Sequence, residues 1–232
     1  MADLPEHASP KAARILAAAG ELLLDRGSKG VTIAEVAKRA HIGKGTVYLY
    51  WKTKEDLLLG LVCRDFLAMA DEAIAAVTAD PDLARPSRLC PRMLRTATER
   101  RFVSGLRSGD DHLLGVLADD PRSAELLAAL GPDAVMADVL PIWRDHGLAR
   151  TDWPLAEQAL ALHALTTGFA AAAVRPPQLP VDDPERVLAA AVTALLGPEQ
   201  AGPEQVASAA AEGIRHLVAG RALALEVISP GA

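Results

Sequence analysis

Between Lys29 and Lys54 the chain sets six basic side chains (Lys29, Lys38, Arg39, Lys44, Lys52 and Lys54) against a single acid, Glu35. All six lysines of the protein fall before residue 55, and three of its eight aromatic residues, Tyr48, Tyr50 and Trp51, stand in the same stretch. Lysines supply cationic contacts to a polyanion. Tyrosines among them can donate hydrogen bonds to phosphates while their rings pack on a sugar backbone. The remainder has the opposite sign, with fifteen Lys and Arg against twenty-three Asp and Glu over residues 61–232, in a chain of net charge −6. A basic run alone also suits a solvated helical face, so the aromatics and the spacing have to decide.

The elements that must position these residues are helical. Apolar residues recur with a helical period nearly throughout, and no alternating run of Val, Ile, Thr and aromatics reads as a strand. Ser9 as N-cap and Pro10 at the first helical position open a helix that buries Ile15, Leu16, Ala19, Leu22 and Leu23 and stops at Gly27. Thr32-Ile-Ala-Glu35 fits a capping box and opens a short helix to about Arg39; a third short helix covers 44–51. Thr53-Lys-Glu-Asp56 is a second box-like start, for a fourth helix reaching about Thr78. Beyond the Pro-bracketed linker 79–86, helices are expected at 88–106, 110–118, 121–130, 133–146, 154–174, 184–196 and 204–226, with Pro141 kinking its own.

Residues 32–51 have the spacing of a helix-turn-helix. Ala37 is the small residue where two short helices cross, Ala40-His41-Ile42-Gly43 is the tight turn, and Ile33, Val36, Ile42 and Val47 hold the pair together. With those faces buried, Lys44, Gly45, Thr46, Tyr48 and Tyr50 point outward, where the end of a short helix enters a major groove.

Arg14 to Val62, RILAAAGELLLDRG…GVTIAEVAKRAHIGKGTVYLYWKTKEDLLLGLV, resembles the DNA-binding domain of the TetR (tetracycline-repressor) family of transcriptional regulators. The likeness covers about the first 70 residues; beyond residue 80 it is architectural only. It implies that Thr32, Thr46, Tyr48, Tyr50 and Lys54 bind backbone phosphates. Lys44 and Gly45 would approach base edges, with Lys44 able to pair with guanine O6 and N7. Two positions depart from the family: His41 stands where Gly is usual, in a turn favouring positive φ, and Trp51 stands where Phe is usual.

Other signals are weaker. Gly43-Lys-Gly-Thr46 lacks the leading glycine and the strand of a phosphate-binding loop. No G-x-S-x-G, H-E-x-x-H or Glu-x-x-His pair anchors an enzyme, so no catalytic residue, metal site or cofactor is expected. Asp110-Asp111-His112 reads as a helix start and Glu212 with His216 as a surface pair. Cys63 and Cys90 lie far apart and read as buried structural thiols. With 50% hydrophobic residues, the 232-residue chain is too apolar to be disordered and long enough for two domains. It shows neither a signal peptide nor a membrane span, so a cytoplasmic protein is expected.

The reading is therefore an all-α protein. A three-helix helix-turn-helix domain (residues 9–70) is joined by the long fourth helix to a larger helical domain (80–228), which the resemblance implies binds an effector and dimerises. Helices 154–174 and 184–196 are the expected homodimer interface, through a small-residue stripe of Ala159, His163, Thr167, Ala170 and Ala171. Phe102, Met136, Trp143, His163 and Phe169, bulky or polar among Ala and Leu, are the expected lining of a pocket for a small apolar effector. Residues 203–228 extend past the family's usual end as one more packed helix. The partners are then double-stranded DNA, a second copy and a small molecule. The alternatives are an effector-free DNA-binding adaptor, or a helical carrier with a vestigial first domain.

Overall fold

Side-chain caps start several of the helices, and most helices form where the periodicity puts them. The computed structural model describes residues 4–108, 112, 115, 117, 120–130, 132–174 and 181–228; for 106–108, 127–130, 132–136 and 174 it describes the backbone alone. In chain order the helices are α1 (Pro5–Ala8), α2 (Pro10–Gly30), α3 (Ile33–Arg39), α4 (Lys44–Tyr48) and α5 (Lys54–Ala79), then a 3-10 turn at Pro81–Ala84. After it come α6 (Pro86–Glu99), α7 (Arg101–Ser108), α8 (Pro121–Leu130), α9 (Pro132–Asp145), α10 (Leu155–Val174), α11 (Pro184–Leu196) and α12 (Pro203–Ile228). Among the described residues no strand forms, and no helix is long and apolar enough to cross a membrane.

The chain divides into two compact units, one of residues 1–68, 101–126 and 221–232, the other of 69–100 and 127–220. In the first, Ile15, Leu16, Ala19, Leu22 and Leu23 of α2 are buried as expected, together with Ile33, Val36, Ala37, Val47 and Trp51. Ser9 Oγ accepts the Ala12 amide at 3.4 Å, capping α2. Gly27 breaks the helical geometry of α2 at φ 69°, where the sequence expects a stop, but one further turn follows. Its lack of a side chain has a second cause, since a methyl there would collide with the His112 backbone oxygen and lie 2.7 Å from His112 Cε1.

In the second unit Leu140, Trp143, Leu148, Leu162, Leu188, Val192 and Leu196 form one core, completed by Val206 and Ala209 of α12. Trp143 Nε1 donates to the Ala84 carbonyl at 2.9 Å, satisfying its one polar atom. Val77, Ala84 and Ala210 form a smaller cluster with Ile214 beside it. The extension 203–228 is thus a packed helix.

Three expectations need correction. The helix expected over 88–106 is two, because Arg100 adopts extended geometry (φ −94°, ψ 107°) and Asp65 of α5 accepts the Phe102 amide at 3.1 Å to start α7. No Gly or Pro marks that break. The third helix ends at Tyr48, not Trp51, and α1 was not foreseen. Pro141 lies inside α9, as the sequence places it. Most of the helix expected at 110–118 lies outside the described residues.

Candidate nucleic-acid interface

The helix-turn-helix is built by local hydrogen bonds. Thr32 Oγ1 accepts the Glu35 amide at 3.3 Å, starting α3. The reciprocal half of that box is altered: Glu35 accepts the Thr32 hydroxyl at 2.8 Å and pairs with Arg26, instead of reaching the Thr32 amide. These bonds hold the Glu35 carboxyl below its usual range.

The α3–α4 turn is a Schellman motif, with Ile42 N donating to Ala37 O at 3.0 Å and His41 N to Lys38 O at 3.2 Å. That motif needs a left-handed residue after the cap, and His41 fills it at φ 55°, alone among the described non-glycine residues. An αL histidine costs about 1–2 kcal/mol relative to glycine, which the buried Val36, Ala37 and Val47 around the turn offset. The second box is complete: Thr53 N donates to Asp56 Oδ2 and Asp56 N to Thr53 Oγ1, both at 3.0 Å. Arg122 Nη1 donates to the other oxygen of Asp56 at 2.8 Å, so α8 and α5 share that carboxylate.

On this frame the outward face of α4 is open. Lys44, Gly45 and Tyr48 are exposed, Thr46 is half-buried, and Val47 on the opposite side is fully buried. Nothing lies within 4 Å of where a side chain on Gly43 or Gly45 would begin. Thr32 is exposed beside α3, though its proton is committed to Glu35. Lys54, half-buried, donates from Nζ to Ser28 O at 3.2 Å and keeps two protons for an anion. Tyr50 is half-buried: its ring is tilted 47° to Trp51 at 5.7 Å, and its hydroxyl lies 2.7 Å from Ser9 Oγ.

Sequence reasoning missed that last contact and the exposure of Leu49, an apolar side chain 80% accessible immediately after α4. Leu49 had a signal, because it falls on the outward side of a turn whose inward residue is Val47. The Ser9 contact had none.

The five residues proposed to line a pocket are placed differently. Phe102 belongs to the first unit, 9% exposed, and a side chain on Gly20 would begin 3.8 Å from its ring. Trp143, His163 and Phe169 belong to the second. Trp143 is a core side chain and Phe169 packs half-buried against the same core. His163 is half-buried on α10, with Thr167 Oγ1 3.5 Å from its Nε2. The Met136 side chain lies outside the described residues.

An all-α chain whose first domain is a helix-turn-helix with an open, basic second helix is the class these features define. Residues 15–61 match the family model described as bacterial regulatory proteins, tetR family. The Bacillus subtilis fatty acid metabolism regulator protein is 40% identical over 52 residues, which are 22% of this chain and 27% of that one. The chain thus aligns with only about a quarter of the curated relatives it matches. Among solved structures, the fatty acid degradation regulator FadR of Bacillus halodurans superposes with TM-score 0.58 at 18% identity, covering 84% of this chain and 98% of that one. Reduced NemR of E. coli gives TM-score 0.56 at 18% identity, covering 82% and 98%. The likeness to the tetR family of bacterial regulatory proteins thus lies in residues 15–61, the stretch that holds the helix-turn-helix.

Proposed function

We propose that the protein is a homodimeric, sequence-specific DNA-binding regulator. It acts in the cytoplasm as a repressor, released from a palindromic operator when a small apolar molecule binds its helical C-terminal domain. One observation carries the reading: a Schellman turn presents a short helix with its apolar side buried and Lys44, Gly45 and Tyr48 free in solvent.

In this reading residues 9–70 are the DNA-binding domain and 80–228 the effector-binding and dimerisation domain. Lys44 donates to guanine in the major groove, and Gly45 lets the backbone come close. Thr46, Tyr48, Tyr50 and Lys54 set the register on phosphates. Thr32 reaches a phosphate by moving its hydrogen bond away from Glu35, so it is the costliest of these contacts.

A single short recognition helix makes too few contacts for specific affinity, and two-fold pairing doubles them. The exposed faces of α10 and α11 support pairing there: Leu155, Leu160 and Val187 are 41%, 68% and 40% accessible in the single chain. Thr167 and Ala171 of the small-residue stripe are exposed on α10, while Ala159, His163 and Ala170 are half-buried. The family model matches residues 15–61 and no part of the second unit, so effector chemistry is read from that unit's own residues, which are chiefly apolar. Effector and operator then affect each other's binding reciprocally, typically by about 1–3 kcal/mol.

Selection of bound fragments from the source genome, followed by mobility shift, tests the reading. An inverted repeat with two half-sites one helical turn or a multiple apart is expected. A monomer that binds no duplex even in dilute buffer overturns it. A thermal-shift screen in which only charged, hydrophilic metabolites stabilise the protein overturns the apolar effector.

A further inference from the structure

The residues before α2 form a strap on the DNA-binding domain. Leu4 is buried, and Glu6 in α1 takes a two-pronged ion pair from Arg64 of α5, with Nη2 to Oε2 at 2.7 Å and Nε on the other oxygen. Both side chains of that pair are about one-sixth exposed, at 15% and 16%. Arg64 Nη1 also donates to Gly60 O at 2.7 Å, and a side chain on Gly60 would begin 2.8 Å from that guanidinium nitrogen, so it would have to shift. The strap ends at Ser9, whose hydroxyl meets two partners: it accepts the Ala12 amide and lies 2.7 Å from Tyr50 Oη.

Given the DNA-binding reading above, on which this step rests, the direction of those bonds is determined. A phosphate oxygen only accepts, so Tyr50 must donate to it. The Tyr50 oxygen is then left to accept, and the Ser9 proton must point into it. Ser9 in turn accepts from Ala12. The three bonds run one way, from amide to serine to tyrosine to phosphate, and hydrogen bonds in such a chain polarise one another. The Tyr50 ring is already held against Trp51, so only its proton remains to be aimed.

We infer that Ser9 is a positioning residue of the DNA-binding surface, aiming the Tyr50 proton at a backbone phosphate, and that the Glu6–Arg64 pair holds Ser9 in place for it.

The test is fluorescence-anisotropy binding of the full chain to a short random-sequence duplex in dilute salt, at a temperature where circular dichroism shows every variant folded. Ser9→Gly keeps most of the N-cap, since glycine there costs only a few tenths of a kcal/mol against serine. It should nevertheless weaken binding by about fivefold, the worth of one hydrogen bond. Ser9→Thr restores the hydroxyl and should bind like wild type. In a Tyr50→Phe background, neither Ser9→Gly nor Glu6→Gln should weaken binding further, because both act through the Tyr50 hydroxyl. A general loss of fold would multiply with Tyr50→Phe instead, and that result overturns the inference, as does a Ser9→Gly variant binding like wild type. A wild-type protein that binds no duplex overturns the DNA-binding reading and this inference with it. A wild type that binds, beside an indifferent Ser9→Gly, overturns the inference alone.

Discussion

Gly45→Ala separates what the recognition helix needs for folding from what it needs for DNA. Gly45 is the second residue of α4, it is exposed, and nothing within 4 Å would meet a methyl placed on it. For stability the substitution is a simple helix-propensity change. Alanine is favoured over glycine by about 0.5–1 kcal/mol within a helix, through lower conformational entropy in the unfolded chain. The five-residue helix begins at Lys44, so the lower half of that range applies. For binding the sign reverses. A glycine at the front of a recognition helix lets the backbone approach base edges, and a methyl there holds α4 off the groove floor. That weakens the Lys44–guanine contact, worth about 1–3 kcal/mol of discrimination. Urea denaturation should therefore show a higher midpoint, while anisotropy with the selected operator shows roughly tenfold or greater loss. An alanine variant that is stabilised and binds its operator like wild type would refute the close approach, and with it the docking of α4 by its N-terminal end.

Four further outcomes follow from the same geometry. Lys54→Ala should weaken all duplexes alike and lower the salt slope of binding by about one, whereas Lys44→Ala should cost about 1–3 kcal/mol mainly on the selected site; equal losses for Lys44→Ala on both would refute base reading. Gly27→Ala, unlike Gly45→Ala, should destabilise by about 2–4 kcal/mol in urea denaturation, combining left-handed strain with a collision against His112. Burial pushes the Glu6 carboxyl up, but its bonds to Arg64 and the charges of Arg64 and His7 outweigh this and leave it below the ordinary glutamate range. Its stabilisation is therefore present above the ordinary glutamate value and lost as pH falls through the lowered one, and Glu6→Gln should flatten that acid limb of stability against pH. Burial also pushes both the Cys63 and Cys90 thiols up to about 12, so a disulfide exchange reagent at neutral pH should titrate neither in the native protein and both after denaturation.

The parts of the fold legible in the sequence were those decided within one helical turn. Ser9 on Ala12, Thr32 on Glu35 and Thr53 on Asp56 are contacts three residues apart, and each was readable from residue type and spacing. His41 was legible for a related reason: a turn of fixed length after a capped short helix leaves one position needing positive φ. The break at Arg100 was not, because Glu99-Arg-Arg-Phe continues a helical pattern. What ends the helix is Asp65, a carboxylate on another element, capping the next one.

The same division runs through the proposed DNA-binding face. Which residues point outward follows from which are apolar, and Val47 inward with Lys44 and Tyr48 outward is a matter of helical phase. How those residues are held does not follow, since the bonds of Lys54 to Ser28, Tyr50 to Ser9, Arg64 to Glu6 and Arg122 to Asp56 join partners 26, 41, 58 and 66 residues apart. Periodicity is read over windows of about 11–18 residues, which none of these pairs fits. Each such bond nevertheless ends on or beside a residue assigned to phosphate contact: Lys54 itself, Tyr50 itself, the strap carrying Ser9, and the Asp56 that caps the helix bearing Lys54. The family pattern marks the groups proposed to touch DNA. If those contacts are made, their strength and aim in this chain should depend on non-local partners, and substitutions at Ser9, Glu6, Arg64 and Arg122 should tune DNA affinity without altering any residue proposed to face a base.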